Sequence, residues 1–223
     1  MSLSKRLQSA SSFKAVETGL VYIGSNLNTG SASSYTFTSE PIGVADSSRM
    51  VVVCVSGYNS SNSAWTNCTV GGVSYSLNVS ISNQRNPLNI FGVYLSTGTT
   101  ADIVLTGNGT TANCSISVYA MYGDGSYTFE DTDNVATGSS GSGSQNVVLT
   151  CSSGANIVAL ATAESSVSGS FTAGITDNDF SALQENLWTI TGHSNDVTSG
   201  SITVTASFSN TSSRKRVVAV SII

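Results

Sequence analysis

Beyond residue 20 the chain alternates between short runs rich in Val, Ile, Thr and aromatic residues and short breaks rich in Gly, Ser and Asn. No window there sustains a 3.6-residue period, and the runs have strand length, so the pattern predicts strands. The clearest are Tyr35 to Thr38, Met50 to Ser56, Thr66 to Val70, Tyr75 to Val79, Leu88 to Leu95, Asp102 to Thr106 and Cys114 to Met121. A second series is Asn146 to Cys151, Asn156 to Ala163, Ser170 to Ile175, Asn186 to Thr191, Ser201 to Phe208 and Arg216 to Ile223. Strands at this density with almost no helix predict an all-β fold, a sandwich or barrel.

The series repeats. VVVCVSG at 51–57 matches IVALATA at 157–163, DIVLT at 102–106 matches SITVT at 201–205, and CSISVYA at 114–120 matches RVVAVSI at 216–222, each displaced by roughly 100 residues. The expected organisation is two tandem, related β-sandwich units of jelly-roll or immunoglobulin-like type, over residues 20–122 and 146–223. Whether they stay separate or merge into one body is open. Residues 123–145 read as a polar linker ending in GSSGSGS, flexible by composition. Residues 1–19 differ: Leu3, Leu7, Ala10 and Phe13 recur at helical spacing behind Ser2, and Gly19 can end the segment. This is expected to be an N-terminal arm or short helix that docks on its own domain or a neighbour.

Composition narrows the setting. Hydrophobic residues make up 39% and charged residues 9%, against roughly a quarter charged in ordinary globular proteins. The polar surface must therefore come from Ser, Thr, Asn and Gly, which suits a protein held against neighbours. Six of the eight basic residues, Lys5, Arg6, Lys14, Arg214, Lys215 and Arg216, lie near the ends, while all 13 acids fall between Glu17 and Asp196. So acidic a body is a poor general nucleic-acid binder. No run approaches the roughly 20 apolar residues of a membrane span, and no apolar segment follows Lys5 and Arg6, so neither a span nor a signal peptide is expected. The N-x-S/T sequons at Asn59, Asn67, Asn78, Asn108, Asn113 and Asn210 are then expected to carry no glycan.

Candidate chemistry is sparse. Gly107-Asn108-Gly109-Thr110-Thr111-Ala112 has G-x-G-x-x-A spacing, but Cys114, Ile116, Val118 and Ala120 alternate with Ser115, Ser117, Tyr119 and Met121, so a strand follows where a dinucleotide fold needs a helix. Asn108-Gly109 instead predicts a hairpin turn. His193, the single histidine, would have to serve any Ser-His-Asp triad, with an acid such as Asp196, and no G-x-S-x-G elbow accompanies it. Asp124, Glu130, Asp131 and Asp133, and Asp177 with Asp179, lack EF-hand spacing and read as solvated loop acids. Cys54, Cys68, Cys114 and Cys151 lie in apolar runs without C-x-x-C spacing and are expected to be buried and reduced. Tyr58 and Trp65 flank a polar loop and form the best exposed-aromatic pair for a sugar, whereas Trp188 is expected to pack inward. Arg214-Lys215-Arg216 either guards a strand end or meets an acidic neighbour. No cofactor or metal is expected.

NCTVGGVSYSL (67–77), STGTTADIVLTG (96–107) and the closing RVVAVSII (216–223) resemble repeats of small β-rich structural proteins of tailed bacteriophages and prophages. The resemblance spans roughly residues 35–223 and rests on turn-and-strand patterns. It implies a non-enzymatic virion component made in the host cytoplasm, with no catalytic residues to carry over. The leading expectation is a capsid decoration or cement protein bridging capsid subunits, partnered by capsid or other virion proteins and by copies of itself, as a trimer if it follows common capsid symmetry. Its partner contacts would be Leu3, Lys5, Arg6, Leu7 and Phe13 of the arm, with Arg214, Lys215 and Arg216. The alternative is a tail-associated receptor- or glycan-binding protein using Tyr58 and Trp65.

Overall fold

A computed structural model of the chain describes residues 18–58, 62–82, 85–137, 143–165, 168–184, 186–209 and 214–223, which hold strands and no helix. In chain order the strands are β1 (Gly19–Asn28), β2 (Ala32–Pro41), β3 (Met50–Tyr58), β4 (Trp65–Val70), β5 (Val73–Ser74), β6 (Leu77–Ile81), β7 (Leu88–Tyr94), β8 (Thr100–Thr111) and β9 (Asn113–Tyr122). Then follow β10 (Phe129–Thr137), β11 (Ser144–Cys151), β12 (Ala155–Glu164), β13 (Gly169–Ala173), β14 (Asp177–Gln184), β15 (Leu187–Val197), β16 (Gly200–Phe208) and β17 (Lys215–Ile222). The fold is all-β, as the pattern predicts. The arm residues Leu3, Lys5, Arg6, Leu7 and Phe13 lie outside the described residues, as does most of GSSGSGS.

Four antiparallel sheets form. Two large ones run β1-β9-β3-β7-β6 and β10-β17-β12-β15-β14, and two small ones run β2-β8-β4-β5 and β11-β16-β13. Three apolar clusters set their layering. Tyr35, Phe37, Val51, Val53, Cys68, Ile103 and Ile116 fill the space between the first small and first large sheets. Met50, Val52, Cys54, Ile90, Val158, Leu160, Val218 and Val220 join the two large sheets face to face. Val147, Leu149, Ile157, Ala159, Phe171, Val204 and Val217 fill the last space, under the second small sheet. The layers thus run small, large, large, small.

This layering explains VVVCVSG and IVALATA. In β3, Val51, Val53 and Val55 face the outer core while Met50, Val52 and Cys54 face the central one; in β12, Ile157, Ala159 and Ala161 face outward while Val158 and Leu160 face the centre. A strand covered on both faces needs apolar residues at every position. β11, covered on one face only, alternates strictly: Val147, Leu149 and Cys151 are buried and Asn146, Val148 and Thr150 exposed.

With the two-residue β5 set aside, the halves share one strand order. Counted from the start of each half, the large sheets read 1-8-3-6-5 and the small ones 2-7-4. The three matching sequence pairs all fall on strands at equivalent places: β3 and β12, β8 and β16, β9 and β17. The third pair is out of register by one residue. Cys114 and Ile116 face an outer core, but their sequence matches Arg216 and Val218 do not; Val217 and Ala219 take that role. A slip of one residue reverses the face of every side chain.

Two expectations need correction. The supposed linker 123–145 contains β10, the edge strand paired with β17 through Phe129–Ile222 to Thr137–Lys215. And Gly107 to Thr111 make no hairpin turn: they continue β8, with Gly107 opposite Trp65 and Thr111 opposite Ala32, and the chain then changes sheet at Ala112. β8 does not pair with β9. Neither Asn108 nor Gly109 has the positive φ that a type I′ turn needs; Asn108 is tied down instead, its N–H donating to the Ala64 carbonyl (3.0 Å) and its Oδ1 accepting from Ala64 N–H (2.8 Å).

Candidate functional site

A row of polar side chains lies where the two large sheets meet, along one face of β15. Alternate residues Thr189, Thr191, His193 and Asn195 all point across the seam, because strand side chains repeat every two residues. Thr189 Oγ1 meets Ser56 Oγ at 3.0 Å, and Ser56 meets Ser115 at 2.7 Å. Thr191 donates to Ser117 Oγ at 3.2 Å, and Ser117 shares a 2.7 Å bond with Ser25. Asn195 bonds both backbone groups of Leu20.

His193 brings a carboxylate into this series. Its Nδ1 lies 2.8 Å from Asp179 Oδ2 on β14, and the same oxygen accepts the Tyr119 hydroxyl of β9 at 2.9 Å. Tyr119 is fully buried and its ring lies edge-on to the imidazole, centroids 5.8 Å apart. Burial first, and then the nearby Cys54 and Asp179, push the Tyr119 hydroxyl well above its ordinary range, so it remains a neutral donor. A carboxylate on Nδ1 fixes an imidazole much as an acyl-transfer triad does. Here, however, no serine or threonine hydroxyl bonds the ring among the described residues, and Asp179, not Asp196, is the acid. What the arrangement does is hold the two sheets in register.

The other acids are also employed. Asp133 Oδ2 accepts the Val148 N–H (2.7 Å), Asp131 Oδ2 the Thr150 N–H (2.6 Å), and Glu130 the Ser152 N–H (3.0 Å) and, more closely, its hydroxyl. They remain solvent-accessible but belong to a strand rather than a loop, and carboxylates of β10 occupy backbone donors along the open edge of β11. Asp177 alone of the TDND pair stays at the surface. Among the described residues no three His, Cys, Asp or Glu side chains converge as a metal-binding group.

The remaining candidates divide. Trp65 is 4% exposed, with its indole edge-on to Tyr35 at 6.0 Å, Nε1 donating to the Pro87 carbonyl and the ring seated on Gly57. A ring buried on both faces offers no sugar platform; Tyr58 is half-buried beside residues outside the described set. Trp188 packs against the second outer core, as expected. Arg214-Lys215-Arg216 is not an exposed basic patch. Lys215 and Arg216 are buried, Arg216 Nη1 donates to the Thr137 carbonyl at 2.7 Å, and Arg214 pairs with Glu164 at 2.9 Å. All four cysteines are free and buried; burial pushes the Cys68 thiol up to about 12 and those of Cys54 and Cys114 well up. Sequence reasoning passed over Tyr119 and Arg49. Arg49, 1% exposed, donates to the carbonyls of Gly43, Val44, Leu95, Thr97 and Gly98, fastening two loops at one end of the first half.

No protein-family model and no curated protein matches the chain. A solved structure described as an anti-sigma factor domain-containing protein is similar at 10% identity, over 84% of this chain and 74% of its own, with a TM-score of 0.25. A likeness of that size carries over neither fold nor role. No helix among the described residues is long and apolar enough to cross a membrane.

Proposed function

We propose that the chain is a non-enzymatic building block of a virus particle, a decoration protein that lies against a capsid shell and bridges its subunits. The two halves are read as copies of one jelly-roll-like unit, in keeping with their shared strand order. The observation that carries the reading is the outer face of β11-β16-β13. Val148, Thr150, Thr172, Ser201 and Thr203 are exposed there, and the hydroxyls of Ser144, Thr172 and Ser207 bond one another at 3.0–3.1 Å. A face whose own side chains carry no charge can be covered by a neighbour without stripping water from ions, the costly part of burying a polar surface. The one imidazole, His193, and its partner Asp179 are meanwhile occupied in a bond between the two large sheets, which supports a structural role.

Antibodies raised against the chain, applied to intact particles from the source culture under the electron microscope, test this. Label spread over the shell is the expected result. Label confined to a tail tip would favour a receptor-binding role, and absence of label on every particle overturns the reading. Removal of residues 1–19 should abolish attachment to shells; undiminished attachment removes the arm from the mechanism.

A further inference from the structure

The turn from β13 to β14, the end of β15 and the start of β16 surround an open groove of about 340 Å³. Ile175, Val197 and Ile202 give it an apolar lining, with Thr176, Asp196 and Thr198 among its polar residues. Val197 and Ile202 pack against the second outer core yet stay only half-buried. Two acids stand beside the groove: Asp196 in its lining, and Asp177, whose Oδ2 accepts the Thr176 hydroxyl at 2.9 Å. Both are exposed, and neither is in an ion pair among the described residues. The described chain begins at this same place. Leu20 is bonded through both backbone groups to Asn195, which also lines the groove, and Thr18 shares with Asp196 the lining of a neighbouring depression.

We propose that residues 1–17, which lie outside the described residues, dock in cis on this groove, with the Phe13 ring against Ile175, Val197 and Ile202 and the Lys14 ammonium at Asp196 and Asp177. The segment complements the groove in chemistry: it pairs apolar Leu3, Leu7 and Phe13 with basic Lys5, Arg6 and Lys14. It is also long enough. Phe13 precedes Thr18 by five residues, a reach of at most about 18 Å. The long stem of lysine lets its charge stay at the wet rim while the neighbouring ring is covered. So short a tether gives an effective concentration of the order of millimolar, and a contact too weak to join separate molecules then suffices within one. A second copy, with its own net charge of −5, would approach against like charge. The docking belongs to the isolated chain and does not depend on a shell.

Isotope-labelled and unlabelled full chains, mixed in equal amounts, are treated with a carbodiimide, which joins amines to carboxylates already in contact, and the digest is read by mass spectrometry. The expected product is an amide between Lys14 and Asp196 or Asp177 whose two parts carry the same isotope. Phe13→Ser, which alters no residue of the sheets, should lower its yield severalfold, and Ile202→Ser in the groove should do the same. Should Ile202→Ser fail to fold, Phe13→Ser decides alone. Absence of the Lys14 link, a yield undiminished in Phe13→Ser, or links spread evenly between like and mixed isotopes overturns docking in cis.

Discussion

The side-chain amide of Asn195 pairs with the backbone of Leu20 as a neighbouring strand would, Oδ1 accepting from Leu20 N–H at 2.7 Å and Nδ2 donating to the Leu20 carbonyl at 2.9 Å. Two residues 175 positions apart thus register β1 of one half on β15 of the other. Asn195→Ala removes both bonds, and because Asn195 is itself exposed water can replace part of the loss. The expected destabilisation is about 1–2 kcal/mol, read by urea unfolding; a change under about 0.3 kcal/mol would show that the pairing contributes nothing.

Asp179 bears more weight, since Tyr119 and His193 share its Oδ2. Asp179→Ala leaves a buried hydroxyl and imidazole without their acceptor and should cost about 3–5 kcal/mol, the range for removing one member of a buried pair. Tyr119→Phe should cost only about 1 kcal/mol. A double-mutant cycle between the two positions should show positive coupling; additive effects would mean that the Tyr119–Asp179 bond does not join the sheets.

Trp65→Ala should destabilise by about 3–5 kcal/mol, as deletion of a buried aromatic does, and in the same denaturant series Tyr58→Ala should change stability far less. Similar small effects from both would contradict the burial of the indole.

Raised thiol values give alkaline pH a definite sign. Cys54, Cys68 and Cys114 stay protonated in the fold where the unfolded chain ionises above its ordinary value of 9.0. The folded state then holds more protons, so stability falls as pH rises through 9, by about 1.4 kcal/mol per pH unit for each thiol, until the folded values are reached; below pH 9 these thiols contribute no pH dependence. Chemical unfolding at pH 8 and pH 10 measures the slope, which Cys68→Ala should make shallower. An unchanged slope in that variant would remove Cys68 from the account.

How much of this was legible in the sequence depended on place within a sheet. β3, β9, β12 and β17 are central, covered on both faces, and their unbroken apolar runs announced them. β1, β10 and β14 are sheet edges, and they were missed because their sequences show neither a long apolar run nor the apolar–polar alternation that marks the edge strand β11. FEDTDNVAT looked like linker since its acids serve the backbone of another strand, a relation that only the assembled fold creates. The same holds for the candidate site. His193 stood out as the single imidazole, but Tyr119 sat in an apolar run like any core aromatic, and Asp179 in a loop-like TDND. Asn108-Gly109 misled because local turn preference yielded to pairing with Ala64 and Trp65.

Asp131 and Asp133 hold the Val148 and Thr150 amides, and replacing both acids by alanine should free a strand edge for pairing with another chain. The double variant is expected to self-associate at concentrations where the parent is monodisperse, as light scattering would show; a monodisperse variant would mean that those donors need no cover.

That pair of carboxylates also bears on how such molecules can crowd. With the Val148 and Thr150 amides taken, that stretch of β11 is a poor template for extending the sheet, and the hydroxyl face beside it is left clear. Along this edge, neighbours are steered to stack on the sheet rather than to lengthen it.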